Sequence, residues 1–250
     1  MTLSRHLRQL LDVIYPPRCA VCSTFLKSSP FIDAGIPLPF CHTCTADFRP
    51  LTPPLCPICG TPFPSKDQES HPCGECLARR PHYDRAGALY TYEGTLLQAI
   101  YGLKYGGKTF LADALGSLLS DFAQKWIPEP VPQYIMPVPL HKKRLRERGF
   151  NQSLLLSRHV ANALTVELDF LSLRRVKYTL PQTGLAKKER HKNIRGAFEI
   201  KNPSIVKNKT ILLVDDVATT GNTLNECARV LKRAKARNVY CVTLARATNI

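Results

Sequence analysis

The chain has 250 residues, 44% of them hydrophobic, and carries 35 Lys and Arg against 19 Asp and Glu, a formal net charge of +16. That length and apolar content support a sizeable core in one large domain or two modest ones. No run of about 18 apolar residues exists, so neither a transmembrane helix nor stable membrane insertion is expected, and the basic excess points to a polyanionic partner such as nucleic acid or a diphosphate.

The chain opens on MTLSRHLRQLLDVIYPP, an amphipathic stretch with Leu3, Leu7, Leu10, Leu11 and Ile14 at helical spacing. It lacks a continuous apolar segment and a small-residue cleavage site, so it does not read as a signal peptide. A short helix packed on the body of a cytoplasmic protein is expected. Ten cysteines follow, and eight of them fall in four CxxC pairs within the first third of the chain: Cys19/Cys22, Cys41/Cys44, Cys56/Cys59 and Cys73/Cys76. Each pair points two thiolates at one ion, and two pairs complete a tetrahedral site, so eight ligands make two zinc sites. Spacing leaves two pairings open, sequential (a double zinc ribbon) or interleaved. Redox chemistry is the weaker alternative, because four copies without a thioredoxin-like context make little sense as redox centres. His42 and His71 lie nearby, but the cysteines already fill both sites. Cys227 and Cys241 stand in apolar surroundings and read as buried small hydrophobes. Two zinc ions on eight thiolates would lower the net charge to about +12, still strongly basic.

Residues 1–80 are rich in Pro, Cys and small polar residues and poor in periodic pattern, as expected of a small domain held by metal. Residues 81–250 alternate strands and helices. Strands are predicted over 86–92, 134–138, 168–174, 198–200, 210–215 and 239–245, and helices over 95–104, 111–126, 152–164 and 222–236. Such alternation predicts an α/β fold with a parallel sheet flanked by helices, whose ligands sit at the C-terminal ends of the strands.

Residues 137–152, PVPLHKKRLRERGFNQ, follow a predicted strand and hold Lys142, Lys143, Arg144, Arg146 and Arg148. Arg144 and Arg148 share a face if the segment is helical, and Gly149 suits the C′ position. Residues 178–198 form a long basic loop, and loops of this length are usually functional or disordered. Its candidate role is a lid, with Lys188 or Arg190 reaching phosphates on closure. Residues 211–223, ILLVDDVATTGNT, join four apolar residues to the acids Asp215 and Asp216 and then to a turn, Val217, Ala218, Thr219, Thr220, Gly221, Asn222 and Thr223, where a helix begins. Such a turn presents backbone N–H groups and a positive dipole end to a phosphate. The carboxylates repel phosphate; they suit sugar hydroxyls or Mg²⁺. A phosphate site beside a diol site describes a ribose 5-phosphate.

The 211–223 run resembles the phosphoribosyl pyrophosphate (PRPP) motif of type I phosphoribosyltransferases. With the CxxC pairs after Pro17-Arg18, the Leu103-Lys104-Tyr105 step, Arg144, the Arg148-Gly149-Phe150-Asn151-Gln152 run, Gln182, Gly184-Leu185, Arg190, Asn193 and Gly196-Ala197-Phe198, nearly the whole chain resembles the ComF family. The resemblance implies a type I phosphoribosyltransferase-like α/β sheet preceded by a cysteine-rich double zinc ribbon. It also implies a role in natural competence: handling single-stranded DNA as it enters the cytoplasm, alongside an ATP-driven DNA translocase. Tyr101, Tyr105, Phe150 and Tyr178 lie near the basic segments and are candidates to stack bases, with core packing the alternative for at least half of them. In the transferase alternative, an acceptor nitrogen displaces pyrophosphate from PRPP. Asp215 and Asp216 would hold the ribose, residues 217–223 the 5-phosphate, and Arg144, Arg148 and Mg²⁺ the pyrophosphate.

Overall fold

The computed structural model describes residues 15–26, 38–64, 69–179 and 194–248. The stretch from Leu3 to Ile14 and the candidate lid residues Lys188 and Arg190 lie outside the described residues. Five strands form a parallel sheet in the order β1 (Arg85–Thr91), β7 (Asn238–Arg246), β6 (Thr210–Ala218), β2 (Tyr134–Pro137) and β3 (Glu167–Leu168). The central strand β6 is a continuous apolar run because both of its faces are covered. Leu212 and Val214 join one hydrophobic layer and Ile211 and Leu213 the other. β7 repeats the alternation, with Tyr240, Val242 and Leu244 on the first face and Val239 and Cys241 on the second.

The first face is covered by α3 (Gly94–Tyr105), α4 (Leu111–Trp126) and α6 (Gln152–Leu164), through residues such as Leu96, Leu103, Leu115, Leu119, Leu156 and Val160, all fully buried. Each such side chain contributes about 2 kcal/mol of hydrophobic stabilisation. The second face carries α8 (Asn222–Arg233), the short α7 (Pro203–Val206) and an antiparallel pair, β4 (Leu173–Arg175) with β5 (Phe198–Ile200). Cys227 and Cys241 lie in this layer and are fully buried, as their apolar neighbours suggest.

The strand expected over 168–174 is split. Leu168 ends β3, and the Asp169 carboxylate accepts hydrogen bonds from the N–H groups of Leu171 (2.9 Å) and Ser172 (3.0 Å). That Asx turn bends the chain out of the parallel sheet, so Leu173 starts a strand in a different one. The strand expected to end at Asp215 runs on to Ala218, because β7 pairs with it as far as Ala218 opposite Arg246. The acid pair therefore lies inside the strand.

The cysteine-rich segment straddles the sheet. Around α1 (His42–Ala46), the side chains of Cys19, Phe40, Cys44 and Phe48 pack into the layer of α3 and α4. Around α2 (Gly74–Ala78), those of Cys56, Ile58, Cys59 and Cys76 pack into the layer of α8. Between them, residues 49–58 follow the outer edge of β1: Leu51 N donates to Leu89 O (2.9 Å), Thr91 N to Arg49 O (2.9 Å) and Ala86 N to Ile58 O (2.7 Å).

Candidate functional site

The cysteines group sequentially. The thiols of Cys19, Cys22, Cys41 and Cys44 lie within 4.8 Å of one another, and so do those of Cys56, Cys59, Cys73 and Cys76. The Sγ–Sγ separations of 3.6 Å for Cys22–Cys41 and 3.7 Å for Cys59–Cys73 match the edge of about 3.8 Å of a sulfur tetrahedron around zinc at about 2.3 Å. Both clusters fit structural zinc. The two first knuckles are built alike. Cys19 O accepts from Ser23 N (2.9 Å) and Cys19 N donates to Thr24 O; Cys56 O accepts from Gly60 N (2.8 Å) and Cys56 N donates to Thr61 O. The turn requires a left-handed residue after the second cysteine, with φ of 64° at Ser23 and 72° at Gly60. In both ribbons the third cysteine is the N-cap of a short helix, Cys41 for α1 and Cys73 for α2.

The second candidate site lies at the C-terminal ends of β2 and β6. There the run from Arg148 to Ser153 has a separate task for nearly every residue. α5 (Lys142–Arg148) is the helix that brings Arg144 and Arg148 onto one face, and Gly149 ends it in the left-handed conformation with φ of 81°. Asn151 caps α6 by accepting from Ser153 N (3.1 Å), while its amide donates to Val138 O (3.1 Å) and ties the helix to the end of β2. Gln152 accepts from the Arg148 guanidinium and donates to Asp216 Oδ1 (3.3 Å). Ser153 Oγ donates to Asp215 Oδ1 (2.7 Å).

Asp215 and Asp216 are 8% and 3% exposed. Two adjacent buried carboxylates require compensation. Asp216 has it in Lys104, from the last turn of α3, whose Nζ closes on Oδ2 as an ion pair. Burial opposes ionisation of Asp216, but the Lys104 charge, together with hydrogen bonds from Lys104, Asp215 and Gln152, holds its carboxyl below the usual range. Burial likewise opposes the Lys104 charge, and Asp216 outweighs it, so the ammonium is held more firmly than usual. Among the described residues no cation is paired with Asp215. Burial, and then the Asp216 charge, push it up to about 7.

Beyond Ala218 the chain bends through Thr219 and Thr220, and Gly221 is the N-cap of α8 with φ of 73° and ψ of 0°. A side chain there would be strained by the dihedral itself, since a Cβ would meet only the Tyr83 hydroxyl, at 3.5 Å. Thr220 Oγ1 is buried without a hydrogen-bond partner among the described residues. An orphaned hydroxyl beside the positive end of a helix suits an anion.

A cavity of about 260 Å³ joins these parts. Its lining includes Asp215, Asp216, Val217, Ala218, Thr219, Gly221, Asn222 and Thr223, and also Arg144 and Arg148 across from them. Thr220 does not line it. Four further residues of the lining, Lys104, Gln152, Ser153 and Arg175, had no site role in the sequence reading. Gln152 and Ser153 were detectable in principle as the first turn of a helix capped by Asn151. Lys104 and Arg175 reach the site only through the packing of α3 and β4. A second cavity of about 430 Å³ shares Lys104, Tyr105, Arg144 and Arg148 with the first, and is also lined by Phe150 and Tyr178. Tyr101, Tyr105 and Tyr178 are exposed and Phe150 half-buried. The Arg148 guanidinium lies 4.9 Å from the centre of the Tyr105 ring, and Lys143 Nζ 4.8 Å from that of Tyr178.

The phosphoribosyl transferase domain family matches residues 151–249, and the double zinc ribbon domain family matches residues 10–77. DNA utilization protein YhgH of Salmonella typhi is 34% identical over 209 residues, which cover 82% of this chain and 89% of that protein. Competence protein F of Haemophilus influenzae is 31% identical, covering 83% of this chain and 90% of that protein. Competence protein ComFC of Bacillus subtilis is 28% identical, covering 82% and 83%. With a parallel phosphoribosyltransferase-like sheet, two four-cysteine clusters ahead of it and this degree of identity over nearly the full length of such relatives, the chain belongs to the ComF family.

Proposed function

We propose that this chain binds PRPP in the carboxylate–loop cavity and handles incoming single-stranded DNA during natural transformation. The observation that carries the first half is the convergence of a helix N-terminus, a buried acid pair and two arginines on one cavity. In this reading the loop 217–223 holds the 5-phosphate, Asp215 and Asp216 take the ribose hydroxyls, and Arg144 and Arg148 with Mg²⁺ take the diphosphate. The Mg²⁺ would neutralise the diphosphate as it docks. The same cavity supports the alternative of a working transferase, in which a nitrogen acceptor displaces the pyrophosphate.

The DNA half rests on the names of the relatives, which include a DNA utilization protein and competence proteins, and on charge. Lys142, Lys143 and Arg146 are exposed, as are Tyr101, Tyr105 and Tyr178, and single strands need basic and aromatic side chains together. An ATP-driven translocase would feed such a strand. Titration calorimetry of the zinc-loaded protein with Mg²⁺ and PRPP tests the first half. Saturable binding, abolished by Asp215→Ala with Asp216→Ala, is expected; no binding by the wild type refutes it. Binding of an oligonucleotide that weakens steeply with salt is expected for the second half, and salt-insensitive or absent binding refutes that.

A further inference from the structure

Lys104 stands apart from the rest of the cavity. It comes from α3, far in sequence from the 211–223 motif, and it is the one cation paired with the acid pair among the described residues. Its side chain is 16% exposed and that of Asp216 5%. Of the two Asp216 oxygens, Oδ1 accepts from Gln152 and Oδ2 faces the ammonium. A sugar diol that donates to Asp216 therefore competes with Lys104 for Oδ2. The ammonium sits at the end of a flexible four-carbon stem, in the wall shared by the two cavities, and Arg144 and Arg148 border the same wall.

Displacing Lys104 from Asp216 without replacement leaves a buried cation unpaired, and that penalty is large. A ligand that brings its own anion to the shared wall removes the penalty. A diphosphate on the anomeric carbon, held by Arg144 and Arg148, would lie against the wall that Lys104 shares with them. A ribose 5-phosphate without the diphosphate carries its only anion on the loop 217–223, at the other end of the sugar.

We propose that Lys104 is a specificity-determining latch: it holds Asp216 until a diphosphate-bearing sugar offers a replacement anion, so that the site admits ribose 5-phosphate poorly unless a diphosphate is present with it. This rests on the PRPP reading above. The latch ties the two ends of the ligand together through one exchange of partners, Asp216 for diphosphate, with no bond made or broken.

The test uses the zinc-loaded full chain, Mg²⁺ and calorimetry, and has two arms. In the wild type, ribose 5-phosphate should bind at least about tenfold more tightly when saturating inorganic pyrophosphate is present, a coupling of the usual size for linked sites. In Lys104→Met, which keeps the length of the side chain and removes its charge, the preference for PRPP over ribose 5-phosphate should shrink by at least about tenfold, while Lys104→Arg retains it. The wild-type arm does not depend on the variant folding. Absence of coupling, or a preference unchanged in Lys104→Met, overturns the latch while leaving PRPP binding intact. Absence of any PRPP binding by the wild type overturns the reading beneath it and the latch together.

Discussion

Asp215→Asn should make the protein more stable, and increasingly so as pH rises. The Asp215 carboxyl is pushed up to about 7 by burial and by its neighbour, from the ordinary value of 3.8 that it regains on unfolding. Between those two values the folded chain holds a proton that the unfolded chain has released, so raising pH through this window destabilises the fold. At about 1.4 kcal/mol per unit, the folded wild type forgoes about 2 kcal/mol at pH 5 and about 4 kcal/mol at pH 8, when Asp215 titrates between 3.8 and about 7. Asparagine keeps an oxygen for both observed donors, Ser153 Oγ and the Asp216 N–H, but has no proton to lose. Its NH₂ group, left without an acceptor, costs up to about 2 kcal/mol, which offsets the gain by a constant and leaves the slope untouched. Urea unfolding of wild type and variant in excess zinc, at intervals from pH 5 to pH 8, reads the difference directly. A gap that widens by about 2 kcal/mol across that range is expected. A gap that stays flat refutes the account of a strained, buried carboxylate, and a variant that loses stability as pH rises reverses its sign.

Two further outcomes follow from the ribbons. Ser23 occupies a left-handed position that Gly60 fills in the second ribbon, so Ser23→Gly should stabilise the first ribbon by about 1 kcal/mol and slow the transfer of its zinc to a competing chelator; faster transfer would show that the duplicated turn is not under strain at Ser23. Chelation of zinc should release residues 18–77 first, because the two metal sites close the turns of a segment that otherwise rests on the sheet through a few side chains and edge hydrogen bonds. Hydrogen exchange should show residues 38–64 losing protection before β6, and equal loss in β6 would contradict a boundary near residue 80.

The parallel sheet and its helices were legible because their signals are local. The apolar run 211–214 reads as a strand covered on both faces, and the RGFNQ run contains a helix stop and a helix cap. The acid pair and the glycine turn announced a site because paired carboxylates beside a φ > 0 turn have few other uses. Lys104 was different. Its neighbours Leu103 and Tyr105 say only that a helix is ending, and its partner Asp216 is brought to it by the packing of α3 on the sheet. The split at Asp169 was hidden for another reason: an Asx turn needs only one side chain, and here that residue sits inside an otherwise strand-like stretch. The sequential grouping of the cysteines was not readable from spacing, since both pairings satisfy it; it is decided by the two ribbons lying on opposite faces of the sheet.

The hydrogen bonds from residues 49–58 to β1 bear on solubility as well as on the fold. An open sheet has two rims, and an exposed rim invites another chain to add a strand. At one rim β3 is two residues long, too short to serve as a template. At the other, β1 has seven residues, and what blunts it is the chain between the two cysteine clusters. A chain deprived of zinc would bare that rim, and light scattering that grows with protein concentration after chelation would reveal it. Metal supply would then govern self-association of this protein before it governed any ligand.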